Sequence, residues 1–479
     1  MKLKTLMGVS SALCLSAIIA QAQETNLSVQ LQQMQERFEK QNQELREKFE
    51  QTLTAQQAQI DALKKQAATA AANPPVVTTN IADEMPSMPA RTGWTPAQPI
   101  TVARAGSSYM NMSFDTLIAA GGSSQRDPSQ FINLGDHDPS KNGFSLRNAE
   151  ISLDGAVDPY FKGFANIVLK LDNDNQTSIE LEEAYLMSTA LPANLQVKAG
   201  QFFANFGRVN PQHPHQWAFV DQPIIIGRAF GPDGLRSIGA QGSWLVPVPF
   251  FTELTLGVFD GQGGTAHSFR NQGEPDALGV DRFHGRETTN RGLRGAGDLL
   301  FVPRLASSFD LTDEQTLVVG TSAAFGPNDT GGGNATQIYG ADVYWKWKPS
   351  NADAGFPFVS WQTEVLYQRY EAGADLGASL PAETLSDWGG YSQILWGFKP
   401  RWVAGLRGES AKGNHGAFDA EDVFRGERER VSPGITFYPS EFSKIRLQYN
   451  YDHGALFGDA HSIWLQFEFL LGAHGAHKF

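Results

Sequence analysis

Residues 461–479 read HSIWLQFEFLLGAHGAHKF. Ile463, Leu465, Phe467, Phe469 and Leu471 recur at a spacing of two, with Ser462, Gln466 and Glu468 between them and Trp464 and Leu470 as exceptions. Successive side chains of a strand point to opposite faces, so this stretch presents one apolar and one polar surface. Such a strand either half-covers a soluble core or separates lipid from water. The rest of the chain decides between them, according to whether the pattern recurs in an even set joined by alternating short and long connections.

From Ser107 onward it does recur. Met110, Met112, Phe114 and Ile118 oppose Asn111, Ser113 and Asp115; Ile151 and Leu153 oppose Glu150, Ser152 and Asp154. Later, Tyr339, Ala341, Val343, Trp345 and Trp347 alternate with Asp342, Lys346 and Lys348, and Ile445, Leu447, Tyr449 and Tyr451 with Lys444, Arg446, Gln448 and Asn450. Counting these segments predicts about 16 strands, an even number, as barrels that close in a bacterial outer membrane require. They are centred near residues 113, 150, 166, 183, 199, 241, 255, 304, 319, 342, 363, 391, 405, 433, 447 and 466. The connections VDPY, ALPAN, PVPF, TDEQ, FKPR and YPSE are short, whereas 120–143, 204–234, 260–297, 372–385 and 412–426 are long. Short turns on one rim and long loops on the other describe a transmembrane antiparallel β-barrel, all-β in class, spanning 107–479. Aromatics near strand ends (Tyr109, Trp244, Trp347, Trp361, Trp388, Tyr438) suit the interfacial girdles of such a barrel.

The first 22 residues have the layout of a secretory signal: Lys2 and Lys4, an apolar run from Leu6 to Ile19, and Ala20-Gln21-Ala22, with cleavage expected after Ala22. The single cysteine, Cys14, lies inside that signal, so the exported chain has no disulfide, zinc–thiolate site or cysteine nucleophile. Residues 23–70 form a polar helix with a narrow seam of Leu27, Leu31, Met34, Phe38 and Leu45, taken up again by Phe49, Leu53, Ile60 and Leu63. That seam predicts a coiled coil or an amphipathic helix contacting the periplasmic layer. Residues 71–106, with six prolines and no clear periodicity, read as a linker. The chain carries a formal charge of −13, and residues 1–100 balance 9 basic against 9 acidic side chains, so the excess belongs to the barrel. An acidic barrel is not a nucleic-acid surface.

LRNAEISLDGAVDPYFKGFANIVL, ELEEAYL, LQVKAGQFFANFGRVNPQHPHQWAFVDQP and SWLVPVPFFTELTLGVFDG, all within 146–260, resemble the outer-membrane porins of the phosphate-selective O/P type. The similarity is closest to the branch labelled zinc-regulated outer-membrane receptors, which shares the GAHGAHKF-like tail. The resemblance implies a trimeric sixteen-stranded barrel in the outer membrane of a Gram-negative cell, with its N-terminal segment periplasmic, passing small solutes or ions. It also implies an inward-folded external loop that narrows the pore, here 204–234 with Arg208, His213, His215, Asp221, Arg228, Asp233 and Arg236. Phe479 would then belong to the signal read by the membrane-insertion machinery. The family's phosphate preference rests on lumenal arginines and lysines. Here the lumenal parity holds Lys162, Lys170, Lys198, Arg401, Arg407, Lys444 and Arg446, but also Glu150, Glu364 and Glu468, which predicts a weak preference of either sign. The receptor label implies energy-coupled uptake, for which 71–106 is too short to fold as a plug domain, so a passive channel is the expectation.

His213-Pro214-His215 is a candidate zinc pair, with Asp221 or the tail residues His474 and His477 as further ligands, since zinc takes imidazole nitrogen and carboxylate oxygen. An uptake barrel for zinc or a metal complex is therefore one alternative reading. A structural barrel tethered through its N-terminal coil is the other. Adjacent Glu182 and Glu183 would face opposite sides of a regular strand. Glu183 would then share the lipid-facing parity of Ile179, Leu181 and Tyr185, a costly place for a carboxylate unless it is interfacial or the register slips. No nucleophile–base pair, phosphate loop or His-Glu-x-x-His motif occurs, so an enzyme is not expected and no cofactor is needed.

Overall fold

The computed structural model describes residues 99–418 and 425–472. The expected signal peptide, the 23–70 helix, most of the linker, and the tail carrying His474, His477 and Phe479 lie outside the described residues. Sixteen antiparallel strands follow one another: β1 (Ser108–Ser123), β2 (Gly143–Ala156), β3 (Phe161–Leu171), β4 (Thr177–Ser188), β5 (Leu195–Phe203), β6 (Arg236–Leu245), β7 (Phe251–Phe259) and β8 (Leu300–Thr312). They continue as β9 (Gln315–Pro327), β10 (Ala335–Trp347), β11 (Phe358–Ala372), β12 (Glu383–Lys399), β13 (Trp402–Gly413), β14 (Arg428–Ser440), β15 (Ser443–Gly454) and β16 (Gly458–Leu471). Each pairs with its neighbour in sequence, and β1 pairs with β16 from Phe114↔Leu471 to Ser123↔Ser462, which closes the barrel. Every strand centre read from the alternation falls within one of these strands.

One further strand, Ile100–Ala105, lies in the stretch read as linker. It folds back on β1 from Ile100↔Met112 to Ala105↔Ser108 and so occupies the edge of β1 just below the point where β16 ends.

The faces of the strands are sorted by polarity in the sense opposite to a soluble barrel. On β16, Ile463, Leu465, Phe467 and Phe469 are exposed on the outside, while Ser462, Gln466 and Glu468 are buried inside. The same outward set continues through Leu406, Val431, Ile435 and Leu447 on β13–β15 and Val365 and Tyr367 on β11. An apolar exterior around a charged interior is what a closed barrel needs in lipid, where every backbone polar group must be paired within the sheet. Trp464 breaks the pattern because it faces inward, wholly buried, over Gly121 of β1, whose missing side chain leaves room for the indole. Tyr438 faces inward as well and does not join an outer girdle, since β14 keeps the parity of the buried Arg428, Arg430 and Thr436.

Two register features correct the sequence reading. In β4, Asn166 of β3 pairs with Glu183 and Ile167 with Leu181, so Glu182 is an extra residue in a β-bulge. A bulge shifts the parity by one, and both Glu182 and Glu183 therefore turn inward and are buried. Neither carboxylate meets lipid, and the two do approach a common group. Arg401, expected on the lumen wall, instead occupies the tight turn between β12 and β13 at φ 73° and is exposed.

Candidate functional site

The connection between β5 and β6 does not stay at the rim. It enters the barrel because its own sequence is apolar where a surface loop would be polar. Phe206, Val209, Ile224, Ile225, Ile226 and Phe230 are buried, packed against inward-facing Phe202, Phe259, Leu300, Val302, Ile338, Leu366 and Tyr391. Burying a side chain of this size contributes roughly 1.5–3 kcal/mol each. Ile224–Phe230 forms a short, wholly buried helix at the far end of the loop.

Backbone donors of the loop are satisfied by side chains of distant strands. Gly207 N–H donates to Ser322 Oγ of β9 at 3.0 Å, and Arg208 N–H to Glu364 of β11. Val220 N–H donates to Gln448 of β15 at 2.8 Å, and Ile224 N–H to Glu409 of β13 at 2.7 Å. Polar residues on the inner wall thus act as partners for a loop that would otherwise bury unpaired amides. The connection between β1 and β2 adds to the plug: Asp138 accepts from Gln222 N–H at 2.9 Å, and the carbonyl of Ile132 accepts from Arg428 and Arg430.

At its entry, Gly207 has φ 60°, and a Cβ there would run into the Glu364 carboxylate. Replacing Gly207 by Ala is expected to cost about 1–3 kcal/mol from the left-handed backbone alone. The cost falls on the docking of the loop, so amide exchange should rise across 204–212 while the barrel strands keep their protection. Uniform exchange across the chain would contradict this.

The charged groups around the loop are unevenly placed. β1, β2 and β4 supply Asp115, Glu150, Glu180, Glu182 and Glu183, with Lys170, Lys198 and Arg236 of β3, β5 and β6 among them, whereas β13, β14 and β15 supply Arg407, Arg428, Arg430, Lys444 and Arg446, with Glu409 and Asp452 among them. The loop places its own charges to match. On the acidic side, His213 Nδ1 lies 2.7 Å from Glu182 Oε2, and its Nε2 lies 3.0 Å from Glu183 Oε2. His215 Nδ1 lies 3.0 Å from Asp115 Oδ2 and 3.5 Å from Glu150 Oε2. Burial alone would lower both imidazole pKa values. The neighbouring carboxylates outweigh it, Glu182 chief among them for His213 and Asp115 for His215, holding His213 well above the ordinary value and His215 up at about 10.

On the basic side, Asp221 is wholly buried and accepts from Arg407, from Arg430 Nη1 at 3.0 Å, from Gln448 at 3.0 Å and from Asn450 at 2.7 Å. Burial pushes its carboxyl up, but Arg407 and Arg430 hold it down at about 2. Asp221 is therefore engaged with arginines and is not a partner of the His213–His215 pair. Lys444 donates to the carbonyl of His215 and pairs with Glu468 at 2.5 Å, and Arg446 donates to the carbonyl of Trp217 at 2.8 Å.

The remaining expected residues take separate places. Arg208 lies over the Tyr344 ring at 4.3 Å. Arg228, on the buried helix, lies 3.5 Å from Asp387. Arg236 opens β6 and binds Glu180, while Asp233 lies 3.6 Å from His137 and 3.8 Å from Lys170. Lys198 reaches Glu183 at 3.5 Å, and Lys162, at the start of β3, is exposed. Arg428 and Arg430 were not singled out from the sequence, although Arg428-Glu429-Arg430 at a strand spacing of two places both guanidiniums on one face. Toward the short-turn rim the loop leaves a cavity of about 220 Å³, bordered by Trp217, Phe219, Leu395, Val403, Tyr438 and Arg446 among others.

No family model matches the chain. The crystal structure of the outer membrane channel DcaP of Acinetobacter baumannii superposes with a TM-score of 0.51 at 12% identity, covering 77% of this chain and 99% of that one, a likeness of fold. An anion-selective porin from Comamonas acidovorans gives a TM-score of 0.45 at 8% identity, over 76% of this chain and 100% of its own, too distant to carry an argument. In sequence, a protein of Aquifex aeolicus (strain VF5) described as "Uncharacterized protein" is 32% identical over 365 residues, 71% of either chain. On that identity and coverage, the chain belongs to the same family as the Aquifex aeolicus protein.

Proposed function

We propose that this protein is a passive channel of the outer membrane of a Gram-negative cell, with its short turns and N-terminal segment on the periplasmic side. Small solutes or ions cross it past the 204–235 loop. The observation that carries this reading is the union of an apolar outer face with a charged interior in one closed sixteen-strand barrel. Such a wall partitions lipid from a polar path, and an inward loop sets the width of that path. The passage is narrow, because most side chains on the inner wall are covered by the loop. Charges of both signs line it, held largely in ion pairs, so a permeant ion meets no run of one sign. As in the porins it resembles, the barrel assembles as a trimer.

Planar-bilayer recording of the purified protein tests the reading. Small, ohmic current steps that scale with salt are expected, with a weak reversal potential in a KCl gradient. Absence of current at any salt would refute the channel.

A further inference from the structure

Arg446 is the exception among the guanidiniums of the basic side. Arg407 and Arg430 are each met by two carboxylates, Asp221 with Glu409 and Asp221 with Asp452. Arg446, only 3% exposed, donates to Thr436 Oγ1 at 3.3 Å, to Gln466 Oε1 at 2.8 Å and to the carbonyl of Trp217 at 2.8 Å, all neutral acceptors. The register of the sheet produces this. β15 sets Arg446 opposite Thr436 of β14 and Gln466 of β16, whereas Lys444, two residues away, faces Glu468. Among the described residues no carboxylate pairs with Arg446. Arginine keeps its charge at any working pH, and a buried charge without a counter-charge is costly.

The same side chain borders the cavity of about 220 Å³ between the loop and the wall. Much of the remaining lining is apolar, although it belongs to the inner face of the barrel. Leu395, Val403, Gly405 and Gly434 come from β12 to β14, and Trp217 and Phe219 from the loop. A cavity of roughly 150 Å³ holds a benzene ring, so this one admits such a ring together with a small polar group. Trp217 and Tyr438 on its border are part-exposed, so the cavity is not sealed. An inorganic anion would leave the apolar lining unused, and a neutral hydrocarbon would leave Arg446 unpaired. A solute with an apolar body and one negative group matches the whole surface.

We propose that this cavity is a subsite for monocarboxylates that carry an aromatic ring, with the carboxylate on Arg446 and the ring against Trp217, Phe219 and Leu395. A guanidinium has five N–H donors, and the three contacts of Arg446 leave others for the carboxylate. Lys444 borders the same space but is already neutralised by Glu468 at 2.5 Å. The site therefore offers one uncompensated positive charge, which suits a monoanion better than a dianion. The inference names a class of solute for the channel and rests on that reading for passage; binding itself needs only the docked loop.

Equilibrium dialysis of benzoate against the full-length protein in detergent, beside its neutral isostere benzamide, tests the subsite. The wild type is expected to bind benzoate saturably and at least ~10-fold more tightly than benzamide, as a charge-assisted hydrogen bond requires. Arg446→Gln should abolish that preference. Gly434→Leu keeps every charge, and a Cβ at this position meets nothing nearer than the carbonyl oxygen of Leu447 at 3.4 Å. It should weaken both ligands by filling the cavity. Inorganic phosphate in excess should leave benzoate in place. Equal binding of benzoate and benzamide by the wild type would overturn the subsite, as would full displacement by phosphate or benzoate binding untouched in both variants. Benzoate binding without current in the bilayer would refute the channel and leave the subsite standing, whereas current without benzoate binding would do the reverse.

Discussion

Excising residues 208–232 and joining the ends with a short Gly-Ser link should raise single-channel conductance several-fold. The excision is sterically allowed because its ends are already held together: Phe203 pairs with Arg236, and Ala204 N–H donates to the carbonyl of Leu235. The seven residues left between Phe203 and Arg236, together with the link, are therefore enough to close the hairpin. Inside, the loss of Ile224, Ile225, Ile226 and Phe230 removes the material that fills the centre of the barrel. Barrels of about 16 strands enclose an aqueous channel when no loop fills them, and conductance follows the narrowest cross-section. The variant would have a lower thermal stability, since Phe259, Leu300, Val302, Ile338 and Leu366 lose their apolar partners. Bilayer recording separates the two effects, because only inserted, folded barrels conduct. Unchanged current steps would show that solutes do not pass the loop.

Asp221→Ala is expected to be the most damaging single substitution inside the barrel. It leaves Arg407 and Arg430 buried with Glu409, at 2.8 Å, and Asp452, at 2.8 Å, as the nearest counter-charges among the described residues, and it takes the acceptor from Asn450 Nδ2 and one of two acceptors from Gln448 Nε2. Removing one member of a buried ion pair costs about 3–5 kcal/mol. Asp221→Asn keeps the shape and one acceptor and should cost less. Both remove a negative charge that faces the arginines, so the reversal potential in a KCl gradient should move toward anion preference. The midpoint of the heat-induced mobility shift reads the stability, and the pairing is read by a double-mutant cycle with Arg430→Ala. A coupling near zero would mean that Asp221 is held by the loop backbone and not by the arginines.

The strands were legible from the chain because their signal is local. Alternation at a period of two needs only a few neighbouring residues, and Ile463 to Phe469 carries it as plainly as any segment. What the interior does with its charges is not local. Nothing near Asp221 in sequence announces Arg407, Arg430 or Asn450, which lie some two hundred residues away. The bulge at Glu182 was hidden for a different reason. An extra residue shifts every later side chain by one, and pairing with β3, not the composition of β4, fixes where it falls. The adjacent glutamates were a hint, since a single regular strand would send one of them to lipid. The histidine–carboxylate cluster combined both difficulties. His213-Pro214-His215 stands out in the sequence as a pair, but Asp115, Glu150 and Glu182 meet it as ion-pair partners only through barrel closure and loop docking.

The short strand Ile100–Ala105 bears on how the barrel comes to be assembled. β1 and β16 lie about 350 residues apart, and joining them is the slowest kind of pairing a chain can make. Until β16 arrives, one edge of β1 stands open, and a slip of one residue there would turn the apolar face of β16 inward. Ile100–Ala105, separated from β1 only by the turn at 106–107, can occupy residues 108–112 from the outset. It stops at Met112, and the pairing of β1 with β16 starts at Phe114, opposite Leu471. The hairpin is thus a mechanical stop, and the last strand can seat in only one register against it.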